Sequence, residues 1–371
     1  MVMEGILKPK IFRGMAIGAM VGTAFAGFGV YHHKQMLVLA ATKEYVDFDK
    51  LMASPVTPVK KLIEESDTMK SRMEMMVMKT QAEVCRALEK VEGGAKFKID
   101  KWERKEGGGG IVCIIEDGKV FERAGVNISV VEGELSPKAV AQMRTRGKKL
   151  KDGTLPFFAT GVSCVIHPRN PMIPTLHFNY RYFEVDQDGE KQWWFGGGTD
   201  LTPYYLDKDD VKLFHGTLKK ACDKHDETYY PEFKKWCDNY FVLTHRGERR
   251  GVGGIFFDDV DKPSQEKAFE FVKDCAKAII PAYLPIVNKH KNDGYGYKER
   301  QWQLLRRGRY VEFNLVHDRG TKFGLFTPGA RIESILMSLP QTAKWQYNHT
   351  PEEGSKEWEL WQVLKTPQNW I

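Results

Sequence analysis

The chain has 371 residues, of which 42% are hydrophobic, 12% aromatic and 28% charged, and this mixture excludes global disorder and collagen-like repeats. Its 56 Lys and Arg residues against 49 Asp and Glu residues give a formal charge of +7 without a dense basic run, so nucleic-acid binding is not predicted. The six cysteines are dispersed without a CxxC pair, which excludes a four-cysteine zinc ribbon and a disulfide framework.

The N-terminal region differs from the rest of the chain. Residues 14–31 carry no charge, follow Lys8, Lys10 and Arg13, and have about the length that a thin bilayer requires. We therefore predict that residues 1–46 form a leader whose apolar segment 14–31 is a membrane anchor or a mitochondrial sorting segment. The alternative is a poorly ordered tail. Residues 47–64 are predicted to be a linker.

The remaining elements follow in chain order. Apolar spacing predicts a helix from Met69 to Val91, ended by Gly93, and a strand at 111–115 that turns at Asp117-Gly118. Ser136-Pro137 predicts a helix start, and Asp188-Gly189 a turn between two strands. The further predicted strands are 157–166, 175–185, 193–195, 309–317 and 322–326. The further predicted helices are 209–225, 230–241, 264–290 with interruptions at Pro281 and Pro285, 331–339 and 355–365. This order favours an α/β fold of the α+β type, with one large antiparallel sheet flanked by helices in a single catalytic domain, 65–371.

One strand carries the clearest local signal for a binding site. Alternation along 174–184 places Thr175, His177, Asn179 and Arg181 on one face. The opposite face collects Leu176, Phe178, Tyr180 and Tyr182. A row of His, Asn and Arg is suited to an oxygen-rich ligand, and an ordinary solvated face is the alternative.

Two neighbouring segments extend this signal. Upstream, Ser163 and His167 share one strand parity next to a turn forced by prolines. Downstream, residues 196–198 are three glycines that would let the backbone approach a ligand, followed by Asp200. The alternative is a simple turn in which Asp200 caps the next helix.

Histidines and arginines supply further candidates. His167, His215 and His245 could bind one divalent ion, but their spacing matches no local metal template, and His215 is also typical of a core histidine. The arginines of HRGERRG (245–251) and those at 309 and 331 are suited to bidentate carboxylate binding, although a solvated basic loop is equally consistent. Motifs for serine hydrolases, zinc proteases, dinucleotide binding and kinases are absent from the sequence.

Several long segments together resemble the oxygen-dependent coproporphyrinogen-III oxidase family over about residues 65–371. They are GVSCVIHPRNP (161–171), HFNYRYFE (177–184), WWFGGGTDLTPYY (193–205), HRGERRGVGGIFFDD (245–259), GRYVEFNL (308–315) and TPGARIESILMSLP (327–340). The resemblance implies oxidative decarboxylation of two propionates of coproporphyrinogen III to vinyl groups, giving protoporphyrinogen IX in haem synthesis. O2 is then the oxidant, CO2 and H2O2 leave, and no cofactor is required. It further implies a homodimer paired through 310–347.

The resemblance also assigns residues. His177 matches the proposed proton donor, and the substrate-binding positions are Ser163, Asn179, Tyr180, Arg181, Gly329, Ala330 and Arg331. Because the substrate has four carboxylates and four pyrrole N–H groups, we expect Arg181 to act at a carboxylate and Asp200 to contact the N–H groups. The catalytic set is thus His177, Asp200 and Arg181.

Two rival classes remain open from the sequence. One is a metal-dependent oxygenase that uses His167, His215 and His245 as ligands. Our main prediction is an enzyme without a metal. The other is a non-catalytic tetrapyrrole carrier. The leader favours the mitochondrial intermembrane space, possibly with membrane association, and the cytoplasm is the alternative location.

Overall fold

The structure is a computed structural model that describes residues 47–105, 107–326 and 330–371. The predicted leader with its segment 14–31, and the predicted substrate-binding Gly329, lie outside these residues. Within the three described ranges, no helix has the length and apolar character needed to cross a membrane.

A seven-stranded antiparallel sheet forms the centre of the fold. Its strands run in the order β1-β2-β3-β4-β5-β6-β9, and β7 and β8 form a separate two-stranded hairpin. The bounds are β1 Lys98–Glu103, β2 Gly108–Glu116, β3 Phe121–Leu135, β4 Leu155–Pro168, β5 Thr175–Gln187, β6 Glu190–Thr202, β7 Val242–Leu243, β8 Glu248–Arg249 and β9 Gly253–Val260. Asp117 and Asp188 both have positive φ at the predicted turns, so both hairpins are confirmed.

Helices precede, separate and follow the strands. Their bounds are α1 Val59–Glu64, α2 Met69–Glu92, α3 Pro137–Thr145, α4 Lys208–Asp223, α5 Tyr229–Tyr240, α6 Gln265–His290, α7 Tyr297–Glu312, α8 Arg319–Phe326, α9 Ile332–Leu336 and α10 Lys356–Lys365. A π-helical turn, Phe313–His317, joins α7 to α8. The predicted α+β fold with a large antiparallel sheet is confirmed.

Local sequence explains where the long helices begin and end. The Thr68 hydroxyl accepts a hydrogen bond from the Ser71 amide at the start of α2, and Gly93 ends this helix with φ +73°. Ser136 caps α3 in the same way, with Pro137 in its first turn. The methionine stripe of α2 is buried against the sheet, so it is core, as its spacing predicts.

Two sequence predictions about the C-terminal half are wrong. Pro281 and Pro285 do not interrupt α6. Both lie four residues apart on its exposed side, while Ile279, Ala282 and Ile286 pack into the core. The buried stripe therefore holds the helix together where proline alone would end it.

The predicted strands 309–317 and 322–326 are helical. They form the end of α7, the π-helical turn and α8. Their β-branched and aromatic residues imitate a strand, but Trp302, Leu305, Tyr310 and Phe313 bury one helical face at spacings of three to five residues. Tertiary packing thus overrides the local strand preference.

The two faces of the sheet have different roles. Helices α2 and α6 pack on the face that carries Leu176, Phe178, Tyr180 and Tyr182, which are all fully buried. The side chains of His177, Asn179 and Arg181 alternate with these and point to the opposite face.

Candidate active site

Strand register assembles the polar side chains of the opposite face into rows. Ser163 of β4 pairs with Asn179 of β5, and Asn179 in turn pairs with Gly198 of β6. In the adjacent row His177 pairs with Asp200. The structure thus brings the predicted residues Ser163, His177, Asn179 and Asp200 onto one surface, from three strands.

Glycines in β6 make room for this surface. A Cβ at Gly196 would lie 2.7 Å from both the Arg181 Nη2 atom and the Asp258 Oδ1 atom. Gly197 faces the other way, where a Cβ would lie 2.5 Å from the Tyr180 ring. At these two positions the glycines accommodate neighbouring side chains of the sheet. The close approach of the glycine backbone to a ligand stays a prediction.

His177, Asp200 and Arg250 form the centre of the site. His177 Nδ1 lies 2.6 Å from Asp200 Oδ1, and Arg250 Nη2 donates to both Asp200 oxygens at 3.0 and 2.8 Å. The Asp200 side chain is only 3% exposed. Burial alone would raise its pKa, but the charge of Arg250 and the contact with His177 more than offset this and hold the Asp200 pKa below its usual value. Asp200 is therefore a fixed anion.

Aromatic rings hold Arg250 in position. Its guanidinium lies 4.1 Å from the Phe241 ring centre, 4.5 Å from that of Tyr310 and 4.8 Å from that of Phe313. Nη1 donates to Asn314 Oδ1 at 3.2 Å. Burial alone would lower the Arg250 pKa, yet the adjacent Asp200 raises it above its ordinary value.

Sequence reasoning did not assign Arg250 or Asn314 to the site. The sequence indicates Arg250 only as one arginine of a basic loop, and it predicts a strand for the segment that contains Asn314. The signal that could have found Arg250 is the density of arginine and glycine in HRGERRG.

Arg181 lies further along β5 and is already paired. Its Nη1 donates to Asn179 Oδ1 at 2.5 Å, and its Nη2 lies 3.0 Å from Asp258 Oδ1. Burial of Asp258 alone would raise its pKa, but Arg181 and Arg146 together lower it. Arg181 thus faces the predicted side of the sheet with part of its fork still exposed.

Other predicted substrate-binding residues lie elsewhere. The Tyr180 side chain is buried in the core on the helix-covered face, where its hydroxyl lies 2.5 Å from Thr199 Oγ1. We therefore do not place the Tyr180 side chain in the site. Arg331 forms an ion pair with Asp100 of β1, and Ala330 is half-buried beside it. The structure does not bring these two residues to His177.

The three candidate metal histidines do not converge. His167 contacts Ser338 O and Thr175 Oγ1, and His215 contacts Tyr230 Oη and Val252 O. The two ring nitrogens of His245 contact His317 and Glu312. Each histidine thus has protein partners at both nitrogens, so the hypothesis of a three-histidine metal centre is not supported by their geometry.

In the described ranges, one group of side chains has converging donor atoms that could hold a metal: Asp207, Asp210 and His290. The Lys289 ammonium already lies there, 2.6 Å from Asp207 and 2.8 Å from Asp210. A cation of the protein therefore balances these carboxylates.

Comparison with known proteins identifies close relatives. The sequence profile of the family described as Coproporphyrinogen III oxidase matches residues 72–370. The chain is 61% identical over 363 residues to the oxygen-dependent coproporphyrinogen-III oxidase of Drosophila melanogaster, covering 97% of this chain and 93% of the relative. It is 57% identical to the mitochondrial enzyme of Homo sapiens, covering 96% and 82%, and 55% identical to the chloroplastic enzyme of Glycine max, covering 83% and 81%.

Proposed function

Because the chain belongs to the coproporphyrinogen III oxidase family, we propose that the face carrying His177, Asp200 and Arg250 is where it acts on coproporphyrinogen III. The protein is an oxygen-dependent coproporphyrinogen-III oxidase in haem biosynthesis. For each of two propionates, the side chain R–CH2–CH2–COO⁻ with O2 and one proton yields R–CH=CH2, CO2 and H2O2. Two electrons pass from the substrate to O2, so the equation balances without another oxidant.

The observation that carries the assignment is the His177–Asp200–Arg250 arrangement. Asp200 engages the Nδ1 atom of His177, and no residue in the described ranges hydrogen-bonds Nε2. The His177 side chain is 15% exposed. We propose that Nε2 meets the substrate and transfers a proton there, with Asp200 fixing the orientation of the ring and stabilising its protonated form.

This assignment changes the expected role of Asp200. Its two oxygens accept hydrogen bonds from Arg250, and one of them also lies against His177. Direct contact with pyrrole N–H groups would have to compete with these partners. We therefore propose that Asp200 acts on the substrate through His177, with Arg250 holding the carboxylate in place.

The substrate chemistry is consistent with the other side chains. We propose that Ser163 and Asn179 offer hydrogen bonds to the substrate, and that Arg181 pairs with a propionate. Electron-rich pyrroles that lose a proton can react with O2 directly, so we propose that no organic cofactor and no metal take part.

One experiment tests this function and its rivals. Purified, metal-free protein is incubated with coproporphyrinogen III with and without O2, and product and O2 uptake are followed. We expect turnover only with O2, and one O2 consumed for each CO2 released. Turnover under strict anoxia, or a requirement for added metal, would contradict the proposal. Binding without O2 uptake would instead indicate a carrier.

We further propose a homodimer and a mitochondrial location. Large apolar side chains at Leu315, Val316, Phe326, Trp345 and Tyr347 are exposed within the segment 310–347, and this supports pairing through that segment. Three mammalian relatives carry the word mitochondrial in their names, which supports the same compartment here. Placement in the intermembrane space, with residues 14–31 contacting a membrane, is the finer part of this proposal.

A further inference from the structure

Arg250 lies in a short connection between two strands. Residues 250–252 join β8 to β9 and belong to neither strand. The connection packs against β6: the Val252 amide donates to Leu201 O at 2.9 Å, and a Cβ at Gly251 would clash with the same oxygen. The connection therefore cannot move closer to β6, and other contacts have to prevent it from moving away.

Residues 361–370, here called the C-terminal segment, provide such contacts on both sides of Arg250 along the chain. Three hydrogen bonds connect the two parts: Trp361 Nε1 donates to Glu248 Oε2 at 2.8 Å, Arg249 Nη1 to Lys365 O at 2.9 Å, and Trp370 Nε1 to Val252 O at 3.1 Å. Two of the residues that are held precede Arg250 and one follows it. The C-terminal segment thus fixes the chain immediately before and after this arginine.

The C-terminal segment is itself fixed to helix α5. The Lys234 ammonium of α5 donates to Gln368 O and to Asp238 Oδ2, at 2.6 Å in both cases. Arg249 Nε donates to Asp238 O at 3.1 Å, so the Arg249 guanidinium bridges α5 and the C-terminal segment. The C-terminal segment is therefore a fixed support for the residues around Arg250.

The Trp370 indole is packed as well as hydrogen-bonded. Its ring lies 6.3 Å from the His215 ring and packs against the main core. His215 Nε2 also contacts the Val252 carbonyl oxygen, at 3.1 Å, so this oxygen has two partners. A substitution that removes only the indole N–H therefore weakens the hold on Val252 and keeps the second partner in place.

The contact that this support protects is short and directional. Arg250 Nη2 donates to both Asp200 oxygens, at 3.0 and 2.8 Å. Hydrogen bonds weaken steeply as their distance and angle depart from good geometry. A displacement of about 1 Å at an active site can cost about a hundredfold in rate. A small movement of residues 249–252 would therefore weaken the hold of Arg250 on Asp200.

We propose that Arg249 and Trp370 are positioning residues of the reaction. With the rest of the C-terminal segment they hold residues 250–252 so that Arg250 keeps both hydrogen bonds to Asp200. This inference rests on the proposed function of the His177 site. It adds two residues that act through Arg250 and do not touch the substrate.

Trp370→Phe and Arg249→Gln test the proposal. Phenylalanine keeps an aromatic ring but has no N–H for the Val252 carbonyl, and glutamine has one amide in place of the guanidinium that bridges Lys365 O and Asp238 O. We expect kcat to fall about tenfold in each variant, less than the roughly hundredfold loss for a displacement of about 1 Å. KM for coproporphyrinogen III should stay at the wild-type value, because neither residue touches the substrate.

Trp358→Phe is the matched control. Trp358 is half-buried on α10, and its indole N–H has no hydrogen-bond partner among the described residues. The same substitution should here leave both kcat and KM at their wild-type values. All variants are assayed well below their melting temperatures, so that a smaller folded fraction does not imitate a lower kcat.

A double-mutant cycle with Asp200→Asn separates the positioning of Arg250 from a general effect on the fold. In Asp200→Asn the carboxylate that Arg250 holds is gone, so Trp370→Phe should lower kcat no further. An equal loss in both backgrounds would overturn the proposal, as would wild-type kcat in both single variants or a loss confined to KM. Arg249→Gln goes through the same cycle, so the test does not depend on the folding of Trp370→Phe.

His177→Ala separates this inference from the proposed function. If His177→Ala is inactive while Trp370→Phe and Arg249→Gln keep wild-type kcat, only the positioning role fails. If His177→Ala keeps wild-type turnover, the proposed reaction site fails, whatever the other two variants do.

Discussion

Asp200 is tied into the sheet by its partners rather than by the helix that follows it. The sequence left open whether it caps that helix, but the N-cap of α4 is Asp207, whose carboxylate accepts from the amides of Asp209 and Asp210. Asp200 lies within β6 and contacts His177 and Arg250. Asp200 is therefore not the N-cap of α4. An experiment on Asp200 has to test whether its negative charge is needed for activity.

Asp200→Asn should lose most of its activity. The amide keeps the shape but removes the negative charge through which we propose that Asp200 acts on His177, so we expect turnover to fall by about a hundredfold or more. The variant should also melt at a lower temperature, because Arg250 becomes a buried charge without its partner. Steady-state turnover is measured well below the melting point of the same sample. Turnover within a few fold of wild type would contradict the catalytic role.

Arg181→Lys should be far from neutral. Arginine contacts both Asn179 and Asp258 through two nitrogens of one plane, and a single ammonium cannot reproduce this fork. We expect kcat/KM to fall by at least tenfold, with most of the loss in KM. The control is Arg144→Lys on the exposed surface of α3, which should match wild type. A wild-type kcat/KM for Arg181→Lys would show that this fork does not contact the substrate.

At the scale of single residues, sequence patterns predict only part of the candidate active site. The alternation of side chains along β5 correctly predicts that His177, Asn179 and Arg181 share a face. This repeat of two residues is a property of the strand itself and does not depend on distant parts of the chain. Arg250 approaches Asp200 from 50 residues away, and Asn314 from a further 64, so only the folded chain brings these residues together. Local patterns likewise could not predict that Arg331 pairs with Asp100 across 231 residues.

At the scale of elements, the junction of α7 and α8 connects the C-terminal helices to the site. The π-helical turn Phe313–His317 adds a residue to the helical turn at the point where Asn314 meets Arg250. The same turn supplies Phe313, whose ring stacks on the guanidinium. The composition of this junction is typical of a strand, so the sequence does not predict its helical structure. The turn of the β5–β6 hairpin is predicted correctly, because the preference of Asp188-Gly189 for a turn depends only on these neighbouring residues.

Asn314→Leu tests whether this turn positions Arg250. Leucine has a similar size but accepts no hydrogen bond, so the buried Arg250 Nη1 loses its partner. We expect the free energy of unfolding to fall by about 1–3 kcal/mol and kcat to fall less than in Asp200→Asn. Denaturant unfolding and steady-state kinetics measure the two effects.

Asn314→Asp is the matched comparison, because it keeps an acceptor next to the cation. It should recover most of the stability that leucine loses. Equal stability of the leucine variant and wild type would show that the turn does not hold Arg250.

At the scale of the whole molecule, the sheet separates an apolar, helix-covered face from a polar face, and the fold buries His167 of β4 and His215 of α4. Burial lowers the pKa of His215 to about 4, a shift that the Val252 carbonyl only partly opposes. Burial and the charge of Arg307 hold the pKa of His167 well below its usual value. Both rings are therefore neutral in the folded protein at pH values where they would be protonated in the unfolded chain.

These histidines predict how stability depends on pH. Between about pH 6.5, the ordinary pKa of histidine, and pH 4, the folded pKa of His215, His215 binds a proton in the unfolded chain but not in the folded protein. Its contribution to the free energy of unfolding therefore falls as the pH falls. One such group contributes up to about 1.4 kcal/mol per pH unit. Asp200, whose pKa is lowered, acts in a more acidic window: its contribution is present above about pH 4 and is lost below it.

His215→Gln isolates one of these contributions. The amide can donate to the Val252 carbonyl and accept from the Tyr230 hydroxyl, as the neutral ring does, but it does not titrate. We expect the difference in unfolding free energy between wild type and variant to be constant above pH 6.5. Below that pH the variant should lose stability less steeply, so the two curves approach each other toward pH 4. Urea unfolding at intervals of half a pH unit measures both curves. Parallel curves across this range would mean that His215 does not gain a proton on unfolding, and that the buried ring is already charged in the folded protein.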